Sequence, residues 1–374
     1  MAEEVIVPQG AKRALLHRLT LPWWTLVFPL LGVAAIVTSL AKLGTIGTVA
    51  AIVILIGSVL AAVHHAEVVA HRVGEPFGTL VLAIAVTVIE VSLIVSLMLS
   101  DAGDASSLAR DTVFAAIMII LNFIVGLCLL AGGIRHGEQR FTLRGVSAAL
   151  CVLAAMAVLS LVLPNYTDTT SGPTYAPSQL LFVAVVSLIL YGTFVMVQTV
   201  RHRDYFLPSG ESLPHDAHAE PPTDAAAWSA FGVLLVALVV VVLLAKALSP
   251  TVEAAILGAG LPLALVGVII AALVLAPESL AAYRAAKRNR LQTSLNLALG
   301  SALATIGLTI PAVAIVSLVL GLPLALGISG KSMTLLAVSL FVATLSLGNG
   351  KTTVLQGVVH LVIFAAYLFV TVVP

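Results

Sequence analysis

Glu90 and Glu278 are the residues whose type and setting point to chemistry. Glu90 lies in TLVLAIAVTVIEVSLIVSLML and Glu278 in VGVIIAALVLAPESLAAY. Of the seventeen acidic residues, these two alone sit well inside apolar runs; the other fifteen fall in polar stretches, termini or the edges of apolar runs. A charged carboxylate in such surroundings costs at least about 2.5 kcal/mol unless water or a partner relieves it, so an ion or proton site is the default reading. Polar neighbours are at hand. Thr87, Ser92 and Ser96 flank Glu90, Pro277 and Ser279 flank Glu278, and Asn122, Asn296, Ser301 and Thr305 lie on the apolar runs that follow. Calcium takes about six to eight oxygens, so hydroxyls, amides and carbonyls would have to supplement two carboxylates. Proline removes a backbone donor and can free a carbonyl. Thr87, Asn122, Asn296 and Ser301 are the supporting ligands we select, and interhelical packing is the alternative for each hydroxyl.

Other chemistries fare less well. HHAEVVAH puts His64, Glu67 and His71 on one helical face, a spacing compatible with a metal and hence with an intramembrane metalloenzyme. The cluster falls just beyond an apolar run, where histidines are commonly solvated. GNGKTT near Gly350 lacks the glycine that a phosphate loop needs, since position 345 is leucine, and reads as a turn. No serine or cysteine has a credible base and orienting partner, so an enzyme is not expected and no cofactor is implied. Cys128 and Cys151 lie in apolar runs and read as packing residues.

The elements that must carry Glu90 and Glu278 are transmembrane helices. The 374 residues are 60% hydrophobic and 9% charged, with a mean hydropathy of +1.14. A soluble domain carries about 25% charged residues. A bilayer core takes about 20 helical residues to cross, and apolar runs of that order recur; the alternation of a β-barrel does not. A net charge of +1 gives no basic surplus for nucleic acid. Eleven spans are predicted, near 21–40, 46–63, 77–100, 112–133, 145–163, 179–200, 228–248, 261–283, 294–318, 331–347 and 353–373. Residues 251–260, with Glu253, are too polar and short for another. Basic residues precede a first run too long for a signal peptide, so that run is read as a retained helix.

With the N-terminus inside, fourteen of the eighteen Lys and Arg residues fall in inner segments and four in outer ones, which supports a cytoplasmic N-terminus and an outer C-terminus. A polar stretch, 201–227, divides the chain. Residues 1–45 supply an N-terminal segment and extra helix, 46–200 one set of five helices and 228–374 another. An odd number per half makes the halves inverted, a plan that places a substrate site near the midplane. Glu90 lies thirteen residues into its helix and Glu278 seventeen into its own, roughly 20 to 25 Å of rise. If the halves bring them together, burial and repulsion favour protons in the absence of a cation, and one divalent ion for two protons is the simplest exchange. A passive channel is the remaining alternative.

GEPFGTLVLAIAVTVIEVSLIVSLML, LAPESLAAYRAAKRNRLQTSLNLALGSALATIGLTIPAV and GNGKTTVLQGVVHLVIFAAY together resemble the signature repeats and last helix of the ChaA-type calcium/cation antiporters. The resemblance implies an all-α protein of about eleven spans in a bacterial-type inner membrane. It implies Ca2+ exchanged for protons, or Na+ or K+ on the same site. It places Glu90 and Glu278 at the ion- and proton-binding acids, with Ser301 at a polar position of the following helix. Many relatives carry a glycine-asparagine break before each acid; here Thr87, Val88 and Ile89, and Ala276 and Pro277, stand there instead. Glu75 is a candidate for the cytoplasmic entrance. The acidic segment 201–227 matches in position a link between halves, with a solvated linker as the alternative. The bilayer, cations and protons are the expected partners, and a homo-oligomer is left open.

Overall fold

A backbone in hydrocarbon must satisfy its own polar groups, and helices do so within one segment. A computed structural model describes residues 22–74, 77–99, 105–207 and 222–373. Among them, eleven helices correspond one for one to the predicted spans: α1 Trp23–Val37, α2 Gly44–Val73, α3 Phe77–Met98, α4 Leu108–His136, α5 Leu143–Tyr166, α6 Pro177–Arg201, α7 Asp224–Gly258, α8 Ala264–Lys287, α9 Leu291–Leu320, α10 Gly330–Leu347 and α11 Val354–Val372. Nine of these are long and apolar enough to cross a membrane; α1 and the apolar part of α3 are shorter. Many large apolar side chains are exposed, among them Trp23, Phe182, Phe341 and Phe369, as a lipid-facing surface requires.

Two helices outrun their apolar cores. The stretch with His64, Glu67 and His71, expected beyond the span, continues α2 as helix until Gly74, whose φ of 74° ends it. Glu253 likewise is not in a connecting stretch: α7 continues through Pro250 to Gly258.

The chain divides into two compact units, 1–85 with 214–244, and 86–213 with 245–374. In the first, Ser58 Oγ donates to the Phe28 carbonyl at 3.3 Å and His65 Nε2 to the Thr25 carbonyl at 3.3 Å, fastening α2 to α1. Arg72 Nε donates to Asp224 Oδ1 at 2.7 Å.

In the second unit α4 is the most enclosed helix, with 83% of its apolar window buried, against 17% for α11. Helices α8, α9 and α11 pack around it. Beyond the helices, β1 Gln139–Arg140 pairs antiparallel with β2 Lys351–Thr352, so GNGKTT is a turn and strand, not a nucleotide loop. Among the described residues, four helices contain a π turn: α4 at Ile119–Ile124, α5 at Val158–Val162, α6 at Val197–Arg201 and α9 at Thr305–Thr309. Such turns insert one residue into the ladder and re-aim the side chains around them.

Small residues let α4 and α11 approach closely. A Cβ at Gly357 would stand 2.4 Å from the Leu130 nitrogen and 2.8 Å from the Gly126 carbonyl oxygen, both backbone atoms unable to give way. Gly357→Leu is therefore expected to lower stability by about 1–3 kcal/mol or more, read as a lower unfolding temperature in detergent. An unchanged temperature would show that the helices can separate freely.

Candidate functional site

Glu90 is 2% exposed on α3, and its carboxylate is held from the opposite half of the sequence. Thr309 Oγ1 donates to Glu90 Oε2 at 2.8 Å, and the Thr305 hydroxyl bears on the same carboxylate. Both threonines are buried, and both belong to the π turn of α9. A hydrogen bond to a charged group is worth about 1.5–3 kcal/mol, enough to offset much of the penalty of placing the acid there.

Glu278 is half-buried on α8 and close enough for its charge to act on Glu90. Pro277 sits inside α8 without ending it, so the Leu273 carbonyl loses its ladder donor. Ser279 Oγ turns back to the Leu275 carbonyl at 2.6 Å.

Asn122 is fully buried in the π turn of α4. Its amide donates to Ser339 Oγ on α10 at 2.8 Å, and among the described residues its Oδ1 has no hydrogen-bond partner. Helix α8 packs along α4, that π turn included, while the π turn of α4 and that of α9 each pack on the other helix. Thr309 follows Glu278 by 31 residues, and Asn122 follows Glu90 by 32.

Thr87 is buried one turn before Glu90, and Ser301 is half-buried two turns before Thr309. Asn296 is placed otherwise. Its Nδ2 donates to the Phe206 carbonyl at 2.6 Å and its Oδ1 accepts from Gln292 at 2.8 Å, so its amide is engaged with the segment after α6. Glu75 lies outside the described residues. Among those residues no three His, Cys, Asp or Glu side chains form a metal-holding group, and His64, Glu67 and His71 are not brought together as one.

Two features escaped sequence reasoning. Thr309 was not singled out, although Ser301, Thr305 and Thr309 recur every fourth residue, a spacing that puts three hydroxyls on one helical face. Glu253, expected in a connection, is like Glu90 a buried acid; Ser249 Oγ donates to its Oε1 at 2.8 Å from one turn earlier on α7.

Comparison with known proteins agrees with this architecture. The family model described as sodium/calcium exchanger protein matches residues 43–200 and 229–373. The chain is 48% identical over 357 residues to the putative ionic transporter y4hA of Sinorhizobium fredii, covering 94% of this chain and 97% of that one. It is 36% identical over 324 residues to the sodium-potassium/proton antiporter ChaA of Escherichia coli, covering 85% and 86%. Among solved structures, the H+/Ca2+ exchanger CAX superposes with a TM-score of 0.70 at 14% identity, over 96% of this chain and 89% of that one, a likeness of fold. With eleven helices, buried acids from both halves and matches across most of its length, this chain belongs to the sodium/calcium exchanger family, whose members are cation antiporters of the membrane and not enzymes.

Proposed function

We propose that the chain exchanges Ca2+ for protons across a bacterial-type inner membrane by alternating access, cation and protons competing for Glu90 and Glu278. The observation that carries this reading is the buried Glu90 carboxylate, held by Thr309 and lying within the field of Glu278. Two carboxylates balance the charge of one divalent ion. With the ion gone, two protons restore neutrality, which makes one Ca2+ for two protons electroneutral. Thr309 and Thr305 supply neutral oxygens beside Glu90. Thr87, Ser301 and the unpartnered Asn122 Oδ1 extend the set toward the number a calcium ion takes.

The repeats follow from the same reading. Residues 46–200 and 228–374 are inverted halves joined by the 201–227 linker, with 1–45 as an added segment. Support comes from the π turns of α4 and α9, one helix after each acid-bearing helix. Placing the N-terminus inside and the C-terminus outside puts the inner ends of α4 and α8, rich in Arg and Lys, on the side that favours them.

A second reading is Na+ or K+ for protons on this site, favoured by the 36% identity to the sodium-potassium/proton antiporter ChaA. In proteoliposomes, Ca2+ gradients are expected to drive proton movement. Na+- or K+-driven proton flux without a Ca2+ response would select the second reading. Glu90→Gln and Glu278→Gln are each expected to abolish coupled exchange by either ion; coupling that survives either change would sink the two-carboxylate mechanism.

Thr309 gives a finer test. Thr309→Val is expected to weaken half-maximal cation uptake by about tenfold or more, while Thr309→Ser, which restores the hydroxyl, stays close to the parent. Equal loss in both would make the role of Thr309 one of packing.

A further inference from the structure

Away from the carboxylates, α4 and α8 end together at a cavity of about 650 Å³ lined by Arg135, His136, Tyr283, Arg284, Lys287 and Arg288. Four of these carry fixed positive charge, and among the described residues none of the four has an ion-pair partner. The acid nearest Arg135 in sequence, Glu138, is taken by Arg140 at 3.5 Å and Lys351 at 3.2 Å.

Cations at a helix C-terminus often satisfy its last carbonyls. Here other groups do so. The Ala285 carbonyl accepts from the Arg288 and Arg290 backbone nitrogens. The Ala286 carbonyl accepts from the Asn289 nitrogen and from Gln139 Nε2 at 3.1 Å, and the Lys287 carbonyl accepts from His136 Nε2 at 3.0 Å. These cross-links tie α4 and its following strand to α8 and set the shape of the cavity. Among the described residues, the Arg135, Arg284 and Arg288 guanidiniums and the Lys287 ammonium donate to no carbonyl. Lys287 Nζ lies 5.4 Å from the centroid of the half-buried Tyr283 ring, an aromatic with a polar tip of the kind that sits at headgroup level.

We infer that this cavity is a binding site for the phosphate of an anionic phospholipid. Guanidinium groups match phosphate oxygens in paired, charge-assisted hydrogen bonds. Four like charges lining one open cavity repel one another until an anion lies among them. A basic pocket between the ends of membrane-crossing helices is a setting in which lipid headgroups bind. A soluble phosphate would meet the same charges but lacks acyl chains to lie along the apolar side chains exposed beside the cavity, Ile134 at the end of α4 and Leu280 on α8, which is why a lipid is the occupant. The inference rests on these two helices crossing the bilayer and is independent of which cation the protein moves.

Its consequence for transport runs along the helices. Lys287 stands nine residues after Glu278 on α8, and Arg135 thirteen after Asn122 on α4. A bound headgroup therefore clamps the ends of two helices whose middles carry the carboxylate and the amide.

The test is lipid retention by the purified full-length protein, read by native mass spectrometry after exchange into phosphatidylglycerol or phosphatidylcholine. Retention of phosphatidylglycerol over phosphatidylcholine is expected, falling about fivefold for each charge removed in R135Q, R284Q and R288Q and their combination. The R135K/R284K/R288K protein is expected to keep most of it, which separates lost charge from lost fold. Cation-driven proton flux is expected to rise when phosphatidylglycerol is added to phosphatidylcholine vesicles, and the rise to vanish in the combined Gln variant. Equal retention of both lipids by the parent protein, or unchanged preference in the Gln variants, would overturn the site and leave these cations a topological signal only. Inorganic phosphate that displaces the lipid and reproduces its effect on flux would assign the cavity to a soluble anion. Retention needs no transport, so failure of the calcium reading would leave this result standing.

Discussion

The hydrogen bond from Thr309 to Glu90 sets the terms for the interior of this protein. A carboxylate that is 2% exposed within a membrane helix has no bulk water to turn to. Its charge must be met by a proton, a cation or donors fixed by the fold. A threonine hydroxyl is a measured answer, because it can donate to the carboxylate and also offer lone pairs to a metal ion. A lysine or arginine in its place would neutralise Glu90 permanently and exclude a cation. A neutral donor holds the acid in the fold without cancelling its charge.

That bond in turn requires an irregular helix. In a regular helix, the register that aims Thr305 toward α3 would carry the apolar residues around it onward without a shift. The π turn at Thr305–Thr309 absorbs an extra residue, so both hydroxyls are directed to one carboxylate while Ile306 and Ile310 stay buried on other sides. The same device in α4 buries Asn122, with Ser339 taking its amide and its oxygen left over. Further along that interior, His360 on α11 is fully buried and hydrogen-bonded to Ser346 on α10 at 2.7 Å. Interhelical pairs of this kind satisfy part of the buried polar set, and the π turns of α4 and α5 hold Asn122 Oδ1 and Ser160 Oγ without a partner among the described residues.

Most of the architecture was legible in the sequence because a bilayer imposes one length scale. All eleven spans appear with their predicted order, and Glu90 and Glu278 stand out because charge is so rare in apolar helices. What hydropathy does not encode is where a helix stops. No proline or glycine interrupts the sequence from His64 to Val73, so α2 runs on through polar residues to Gly74. Ser249 and Pro250 look like a break, yet proline forfeits one bond without ending α7, and Glu253 is carried into a buried position. Thr309 was hidden for another reason. Hydroxyls are common on membrane helices, and only the inserted residue decides which one reaches an acid on a distant segment.

The absence of a glycine-asparagine break before either acid now has a structural counterpart. Helices α3 and α8 run unbroken through Glu90 and Glu278, so they present carboxylates on ordinary helical backbone, with Pro277 alone freeing a carbonyl. The irregular backbone that a hard cation needs around it lies instead on the neighbouring helices, in the π turns of α4 and α9. On the proposed function, a ligand set divided in this way, charge on two straight helices and neutral oxygens on two bent ones, would make ion selectivity depend on how α4 and α9 lie against α3 and α8. Selectivity would then be a property of helix packing as much as of the acids themselves, and the His136 and Gln139 hydrogen bonds that hold the end of α4 to α8 become part of the same structure.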